Sequence, residues 1–232
     1  MYEAVRVEAE GRTTTARFAA TAADAGFDGI VVADRYDDPA PFDADRLRAA
    51  YGIDVVDGFE VRTTEKGVAS GVIADRRRKT TVLMLRGGTP TMNRYAVETP
   101  AIDVLRDPLR GDGDVNHVIV KAAARNDVHI EVNLGPVLRT SGGPRVQALR
   151  GLRKLRELLD HFDAPFVVSG GPETHLQVRG PRELLALGQQ LGFDEDQIRS
   201  GLEAWGDIAT TNRERLSEEY VAEGVRRGRY ER

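Results

Sequence analysis

Hydrophobic and polar residues alternate along the chain in two rhythms, one typical of β-strands and one of helices. Seven short segments are rich in Val and Ile and are mostly bounded by Gly, Asp or Pro, which predicts strands. Between them, apolar residues recur at intervals of three or four, which predicts amphipathic helices. The predicted strands are Tyr2–Val7, Ile30–Ala33, Val55–Arg62, Thr81–Arg86, Ala101–Leu105, Val128–Leu134 and Phe166–Ser169.

Several predicted helices carry recognisable signals at their ends. In the clearest one, Arg145–His161, the apolar residues form a single stripe and the basic residues lie outside it. Asp194 and Gln197 form the pattern of a capping box, and Asn212 is expected to cap a last helix at about 212–225, ahead of a basic tail at 226–232. Further helices are predicted over Thr14–Ala25, over Ala44–Tyr51 after a cap at Asp43, and over Val115–Arg125 after a cap at Asp114.

This alternation indicates parallel βαβ units within a single domain covering residues 1–232. Two predicted strands also carry polar residues on one face: Glu60 with Arg62, and His129 with Glu131 and Asn133. Parallel strands covered by helices on both sides are almost continuously apolar, so polar faces favour the lumen of a barrel. The sequence therefore predicts an α/β fold, an irregular TIM-type (β/α) barrel of about seven parallel strands with surrounding helices. A degenerate eighth strand near Ile208 is expected, and an open doubly wound sheet is the alternative.

Composition narrows the function classes. The chain has 232 residues, 41% of them hydrophobic, and no cysteine, which excludes disulfide scaffolds, zinc ribbons and thiol chemistry. The chain opens without a basic segment followed by an apolar run, and a cytoplasmic protein without membrane contact is expected. The net charge is -4, but 29 Arg stand against 4 Lys. We interpret the near-absence of Lys beside many carboxylates as adaptation to a salt-rich cytoplasm.

Positive charge is concentrated in three clusters. Six basic residues and no acidic residue occur from Arg139 to Arg156, and the other clusters lie at 76–79 and 226–232. Each cluster alone fits a solvated helix face. Together they favour a polyanionic partner, because the Arg guanidinium group binds phosphate through a planar fork and stacks on bases.

The carboxyl ends of the predicted strands, where barrel sites lie, are rich in Arg and Gly, as in Arg86-Gly87-Gly88 and Ser169-Gly170-Gly171. Glycine-rich nucleotide motifs and a nucleophile elbow are missing, and the four histidines have none of the spacings of metal sites. The sequence therefore predicts no catalytic residue and no metal ligand. Glu60 and Glu131 could form an acid/base pair, but a polar network in the lumen, with Glu60, Arg62, Glu131 and Asn133, is favoured.

Three consecutive segments, Ile102–Pro108, Val115–Asn126 and Val128–Leu134, resemble the central block of protein component 3 of archaeal and eukaryotic ribonuclease P. The similarity covers nearly the whole chain, and its ordered series is more specific than any single motif. The chain departs from the family pattern at 170–172, where it has Gly-Gly-Pro. Similar segments elsewhere are Asn93-Arg94 with Glu98, Arg145 at the start of the long helix, Pro165–Ser169 and Val178–Leu184.

The resemblance implies a barrel related to the PHP phosphoesterases but without their metal-binding histidines. It implies a subunit of the ribonucleoprotein that removes the 5′ leader from precursor tRNA, in which the catalytic RNA, with bound Mg²⁺, carries out the cleavage. The chain itself is expected to bind no cofactor. Its expected partners are the ribonuclease P RNA, protein component 2 in a heterotetramer, other protein components and, indirectly, precursor tRNA.

Site residues follow from the same resemblance. RNA phosphate contacts are expected at Arg86, Arg94, Arg139, Arg145, Arg179 and Arg182, and contacts with RNA or a partner at Asn116, His117 and Lys121. Two alternatives stay open. A stand-alone PHP-type metal-dependent phosphoesterase would act without RNA, and an interaction scaffold would bind protein but no RNA.

Overall fold

Seven parallel strands form one sheet in the computed structural model, which describes residues 1–7, 13–34, 42–217, 220–222 and 225–226. The strands are short and mostly buried, in keeping with their Val- and Ile-rich sequences. They are β1 (Tyr2–Val5), β2 (Gly29–Asp34), β3 (Asp54–Val61), β4 (Val82–Arg86), β5 (Val104–Arg106), β6 (His129–Asn133) and β7 (Phe166–Ser169).

The order of strands in the sheet is their order in the sequence, and every neighbouring pair is parallel. The alternative of an open doubly wound sheet is wrong, because that fold reverses its strand order at a switch point. The sheet instead curls into a nearly closed barrel, which confirms the predicted (β/α) barrel of seven parallel strands. In the gap between β7 and β1, the Glu3 carboxylate accepts hydrogen bonds of 2.9 and 3.2 Å from the backbone N–H of Gly170.

Helices connect the strands and surround the sheet. They are α1 (Thr15–Asp24), α2 (Ala44–Tyr51), α3 (Lys66–Arg76), α4 (Pro90–Val97), α5 (His117–Asn126), α6 (Gly135–Arg139), α7 (Gly142–Phe162), α8 (Pro181–Leu191) and α9 (Glu195–Leu216). Two short antiparallel strands follow, β8 (Tyr220–Ala222) and β9 (Val225–Arg226). Within the described ranges, no helix combines the length and apolarity needed to cross a membrane.

Two apolar clusters stabilise the barrel. The larger one lies between the sheet and the helices. The smaller one lies inside the barrel, where Val31, Met84 and Val104 pack with Trp205 of α9. The Trp205 indole N–H donates to the backbone carbonyl of Val168 at 2.9 Å. These lumen residues precede the polar ones along their strands, so the polar groups occupy the half of the lumen nearest the carboxyl ends.

Several predicted boundaries are wrong. Asn116 rather than Asp114 caps α5, because its Oδ1 accepts from the N–H groups of Val118 and Ile119 at 2.9 and 3.3 Å. Asn212 caps no helix: it is buried within α9 and donates to the Asp103 carboxylate at 2.9 Å. The separate helix predicted at 212–225 is therefore absent from the described residues, because α9 covers its first residues and ends at 216. Most of the predicted tail at 226–232 lies outside the described residues. Ile208 also lies in α9 rather than in an eighth strand, and the strand predicted at 101–105 is 104–106.

Candidate functional site

A network of buried charges occupies the carboxyl-end half of the lumen. Glu60 is fully buried and accepts hydrogen bonds from Arg62 Nε at 2.7 Å and Arg86 Nε at 2.9 Å. Arg6 Nε lies 3.5 Å from the same carboxylate. Burial raises the pKa of Glu60, but the surrounding guanidinium groups, led by Arg106, hold that pKa well below its usual range. Glu60 is therefore a buried anion at neutral pH.

Glu131 is a second fully buried carboxylate, paired with the fully buried Arg106. The Arg106 Nε atom donates to Glu131 Oε1 at 3.2 Å, and the Ser169 hydroxyl donates to the same oxygen at 2.6 Å. The other carboxylate oxygen accepts from the backbone N–H of Asp107 at 2.8 Å. Because neither Arg106 nor Glu131 reaches solvent, each depends on the other for charge compensation.

Asp107 links this network to the mouth of the barrel. Its backbone is left-handed, with φ of 49°, a conformation that Asp tolerates better than most residues. Its carboxylate accepts from Arg6 and from Asn133 Nδ2, the latter at 2.6 Å. Burial raises the pKa of Asp107, and the Arg6 and Arg106 guanidinium groups bring that pKa below its usual value. Asn133 Oδ1 then accepts from the N–H of Gly135 at 2.8 Å, which fixes the start of α6.

Glu3 differs from the other buried carboxylates. Its partners in the gap between β1 and β7 are the backbone N–H groups of Gly170 and Ala4. Burial raises the pKa of Glu3 to about 8, although the Gly170 hydrogen bond and the charge of Arg106 lower it. Glu3 is therefore mostly protonated at neutral pH and adds little negative charge to the lumen.

Arg6, Arg106 and Asp107 also belong to the network, although the sequence did not predict them as members. The sequence does contain a pattern that places two of them in the lumen, because side chains two residues apart on a strand point to the same face. Arg6 shares a face with the lumen residue Ala4, and Arg106 shares one with Val104. The predicted strand stopped one residue before Arg106 and so hid the alternation. The predicted members Glu60, Arg62, Glu131 and Asn133 all lie in this half of the lumen.

A cavity of about 620 Å³ opens above the network, at the carboxyl ends of the strands. Arg86, Asp107 and Glu131 line its polar side. The loop after β5 and helix α7 supply an apolar side that includes Leu109 and Leu152. This position at the mouth of a (β/α) barrel is the usual one for a ligand.

Asn93 of α4 holds the loop at 107–114 that forms one wall of the cavity. Its Nδ2 donates to the backbone carbonyls of Pro108 and Asp114 at 2.8 and 3.0 Å, and its Oδ1 accepts from the N–H of Gly88 at 3.0 Å. Asn93 is fully buried, so these three hydrogen bonds satisfy its amide. The sequence marked Asn93 only through the family resemblance, because its burial is not visible in the local pattern.

The six arginines expected to bind phosphate lie at the end of β4 or in the segments that follow β4, β6 and β7, but several are engaged within the protein. Arg86 belongs to the lumen network. Arg139 donates to the backbone carbonyls of Gly170 and Gly171 at 2.9 and 2.7 Å. Burial lowers the pKa of Arg139. Arg139 therefore supports the Gly-Gly-Pro loop and presents only part of its guanidinium group to a ligand.

Arg94 and Arg179 are partly engaged within the protein and partly accessible to a ligand. Arg94 is exposed but pairs with Glu98 one turn later on α4, at 2.7 Å. Arg179 donates to the carbonyl of Val178 at 2.9 Å, and its Nε lies 4.0 Å from Glu183. Exposed pairs of this kind contribute little to stability and exchange readily for another anion.

Arg145 and Arg182 are exposed in the first turns of α7 and α8. Neither has a side-chain partner among the residues that the structure describes. The same holds for Arg110 after β5 and Arg150 on α7, which are also exposed. Unlike Arg86 and Arg139, these cations are available to a ligand.

The basic cluster at 76–79 is largely engaged and lies at the opposite end of the barrel, ahead of β4. Arg77 pairs with Asp103 at 2.7 Å, and Lys79 pairs with Asp75. The Arg76 guanidinium lies 4.7 Å from the centre of the Phe59 ring. These contacts favour a structural role for this cluster.

The three residues expected at an interface all lie on or beside α5. Asn116 is exposed and caps the helix, so its side-chain oxygen is already used by the backbone. His117 is exposed at the first position of the helix, and Lys121 is exposed one turn later with its Nζ 5.0 Å from the centre of the Phe162 ring. His117 and Lys121 are therefore accessible, whereas Asn116 has a structural task.

The four histidines lie on different elements, as shown by His117 at the start of α5 and His129 at the start of β6. His175 contacts the Thr13 hydroxyl at 3.0 Å. Across the described ranges, no group of three or more His, Asp or Glu side chains could hold a metal ion. The cations that face the lumen carboxylates are Arg guanidinium groups.

Comparison with known proteins gives consistent results. The family model described as RNase P subunit p30 matches residues 1–217. The chain is 51% identical to ribonuclease P protein component 3 of Haloarcula marismortui, over 97% of this chain and 96% of that protein. It is 52% identical to the component 3 of Natronomonas pharaonis, over 97% of this chain and 94% of that protein.

Two solved structures share the fold. A chain of an archaeal ribonuclease P determined with mature tRNA by cryo-EM superposes with a TM-score of 0.82 at 23% identity, covering 100% of both chains. Histidinol phosphate phosphatase from Lactococcus lactis, complexed with zinc, L-histidinol and phosphate, superposes with a TM-score of 0.57 at 10% identity, covering 83% of this chain and 94% of that one. The (β/α) barrel fold expected from the sequence is thus confirmed. With a family match along nearly its whole length and relatives of one kind at about half identity, the chain belongs to the RNase P subunit p30 family.

Proposed function

We propose that this ribonuclease P subunit binds the RNA of the enzyme through the carboxyl-end face of its barrel, defined by the exposed Arg110, Arg145, Arg150 and Arg182. The observation that carries the proposal is that these four side chains have no partner among the described residues although the protein is acidic overall. RNA phosphates supply the missing negative charge, and guanidinium groups bind them through paired hydrogen bonds. Arg94, Arg139 and Arg179 lie on segments of the same end and add secondary contacts, while Arg86 acts through the lumen.

The RNA, with its bound Mg²⁺, cleaves the 5′ leader from precursor tRNA, and this subunit supports that RNA without a catalytic side chain of its own. The lumen carboxylates are poor candidates for catalysis, because they are bound by guanidinium groups and by the protein backbone. A related chain of the same fold in an archaeal ribonuclease P with mature tRNA supports membership in such a complex, which we place in the cytoplasm.

We further propose that the exposed side of α5 contacts the RNA or a protein partner, with His117 and Lys121 as the contacting residues. Val118 lies between them in the sequence and is 45% exposed, so an apolar side chain adjoins the two polar ones. Protein component 2, in a heterotetramer with this chain, and other protein components are the partners that the family implies. Precursor tRNA is contacted only indirectly.

Reconstituted cleavage of precursor tRNA tests the main proposal. Cleavage should require the RNA subunit and should be stimulated by this chain. The double substitution Arg145→Ala and Arg182→Ala should reduce that stimulation while the fold stays intact. The matched control is Arg78→Ala with Arg125→Ala, which removes two exposed arginines at the amino ends of β4 and β6.

Two outcomes would contradict the proposal. Cleavage of a phosphate ester by this chain alone would identify a stand-alone phosphoesterase. Binding of the protein partners without any RNA footprint would identify a scaffold.

A further inference from the structure

We propose that the cavity at the mouth of the barrel receives one unstacked base of the RNA bound on the carboxyl-end face. This inference rests on the proposed function and adds a specific binding site to it. The cavity volume of about 620 Å³ falls within the ~300–1,000 Å³ that is usual for small-molecule sites. Single-stranded regions of RNA are commonly recognised through bases that leave the stack and enter a protein pocket.

Most of the cations lining the cavity are already engaged within the protein, and Arg139 among them donates to backbone carbonyls. Arg86 binds Glu60, and Arg6 binds Asp107. At the rim, Lys154 Nζ lies 2.8 Å from the Asp114 carboxylate. A phosphate entering this cavity would therefore have to displace a carboxylate or, at Arg139, a backbone carbonyl from each cation deep inside. A wholly apolar group would instead cover polar groups without replacing their contact with water, which is unfavourable. A neutral ring with a hydrogen-bonding edge avoids both penalties.

The remaining lining suits the faces and the edge of a base. Pro108 and Leu109 from the loop after β5, and Pro144 and Ala148 from α7, provide apolar surface. Gln147 also lines the cavity, is exposed, and has no side-chain partner among the described residues. Its amide carries a donor and an acceptor, which is what the edge of a base requires.

The entrance favours a nucleic acid over a protein segment. Arg110 lines the cavity and is unpaired in the described part of the chain. Arg145 precedes Ala148 by three residues on α7, so both lie on the same side of the helix. Phosphates flanking an inserted base would thus meet Arg110 at the lining of the cavity and Arg145 beside it. No acidic residue occurs from Arg139 to Arg156, and the exposed acidic residues that line the cavity, Asp114 and Glu173, belong to other segments.

Chemical probing of the reconstituted ribonucleoprotein tests this inference. In the complex with the unmodified subunit, one single-stranded base of the RNA should be protected at its Watson–Crick edge. Ala148→Phe places a phenyl ring against the apolar wall of the cavity without changing the charge, so that base should be displaced and become reactive while the backbone footprint remains. The affinity for the RNA should fall roughly tenfold, as expected when one stacked base is lost. Ala186→Phe, at an exposed position of α8 outside the cavity, is the control.

A second variant keeps the test decisive if Ala148→Phe does not fold. Gln147→Ala should expose the same base, whereas Gln189→Ala, at an exposed glutamine of α8, should not. Unchanged base reactivity in both cavity variants, beside a normal backbone footprint, would overturn this inference and leave RNA binding intact. Weaker binding to a protein component with an unchanged RNA footprint would also overturn it, by assigning the cavity to a protein segment. If the unmodified subunit leaves no footprint, the proposed function itself fails.

Discussion

Arg106 and Glu131 form an ion pair that is completely shielded from solvent in the barrel lumen, with Arg106 Nε 3.2 Å from the nearer Glu131 oxygen. Two charges in this position are stable together but not separately, because neither can recover its hydration. The pair therefore maintains the polar half of the lumen beneath the proposed binding cavity.

Arg106→Met is expected to destabilise the protein by about 3–5 kcal/mol, because the buried Glu131 loses its ion-pair partner and the buried Glu60 loses the leading positive charge that compensates it. The double variant with Glu131→Gln should recover part of this loss. The control is Arg199→Met, which removes an exposed pair with Glu195 and should cost less than about 1 kcal/mol. Denaturant unfolding measures both, and equal losses for Arg106→Met and Arg199→Met would contradict the burial argument.

Glu3→Gln should change how stability depends on pH. Unfolded Glu3 ionises near pH 4.5, whereas the folded protein keeps it neutral up to about pH 8, so the stability of the unmodified protein falls as the pH rises through this interval. The loss is about 1.4 kcal/mol per pH unit at most, and an uncharged amide side chain avoids it. The advantage of Glu3→Gln should therefore grow from acidic to mildly alkaline pH in denaturant titrations. Parallel pH profiles would show that Glu3 ionises normally, and Glu157→Gln on the exposed side of α7 serves as control.

Asn116→Ala should destabilise the protein by about 1 kcal/mol through loss of the α5 cap. Asp114→Ala should have less effect, because this residue forms only an exposed pair with Lys154. Thermal unfolding of the two variants distinguishes the assignments. A larger loss of stability for Asp114→Ala than for Asn116→Ala would contradict the assignment of Asn116 as the cap of α5 and support Asp114 instead.

Asn93→Ala should loosen the wall of the cavity, because three hydrogen bonds between α4, the end of β4 and the loop at 107–114 are lost. Faster hydrogen exchange at the backbone amides of Arg110 and Gly113 is the expected sign, since both are bonded within that loop. Asn126→Ala removes a partly buried hydrogen bond, to the Val97 carbonyl, and should leave the loop unaffected. No change in loop exchange on Asn93→Ala would mean that other contacts hold the wall.

Salt should stabilise the protein. The chain combines 37 acidic residues with very few lysines, and its relatives include ribonuclease P subunits of Haloarcula marismortui and Halobacterium salinarum. Stability should rise with KCl up to molar concentrations. A maximum near 0.1 M KCl in unfolding experiments would contradict this expectation.

The sequence was most informative where local pattern and tertiary environment agree. Val- and Ile-rich runs predicted seven strands in the correct order, and alternation along β3 and β6 predicted a polar lumen. The sequence was less informative where contacts between residues far apart in the chain determine the role of a side chain. Arg77 and Arg139 look like surface cations in the sequence, yet the structure pairs Arg77 with Asp103 and Arg139 with backbone carbonyls. Asn212 has the character of a cap, but α9 continues through it because its amide finds Asp103 across the fold.

The salt dependence of RNA binding tests the proposed interface most directly. Each phosphate contact contributes about 0.7–0.9 to the slope of log affinity against log salt. Arg145→Ala with Arg182→Ala should therefore reduce the slope by about 1.4–1.8, whereas Arg78→Ala with Arg125→Ala should leave it unchanged. Equal slopes for the two double variants would contradict RNA binding by the carboxyl-end face.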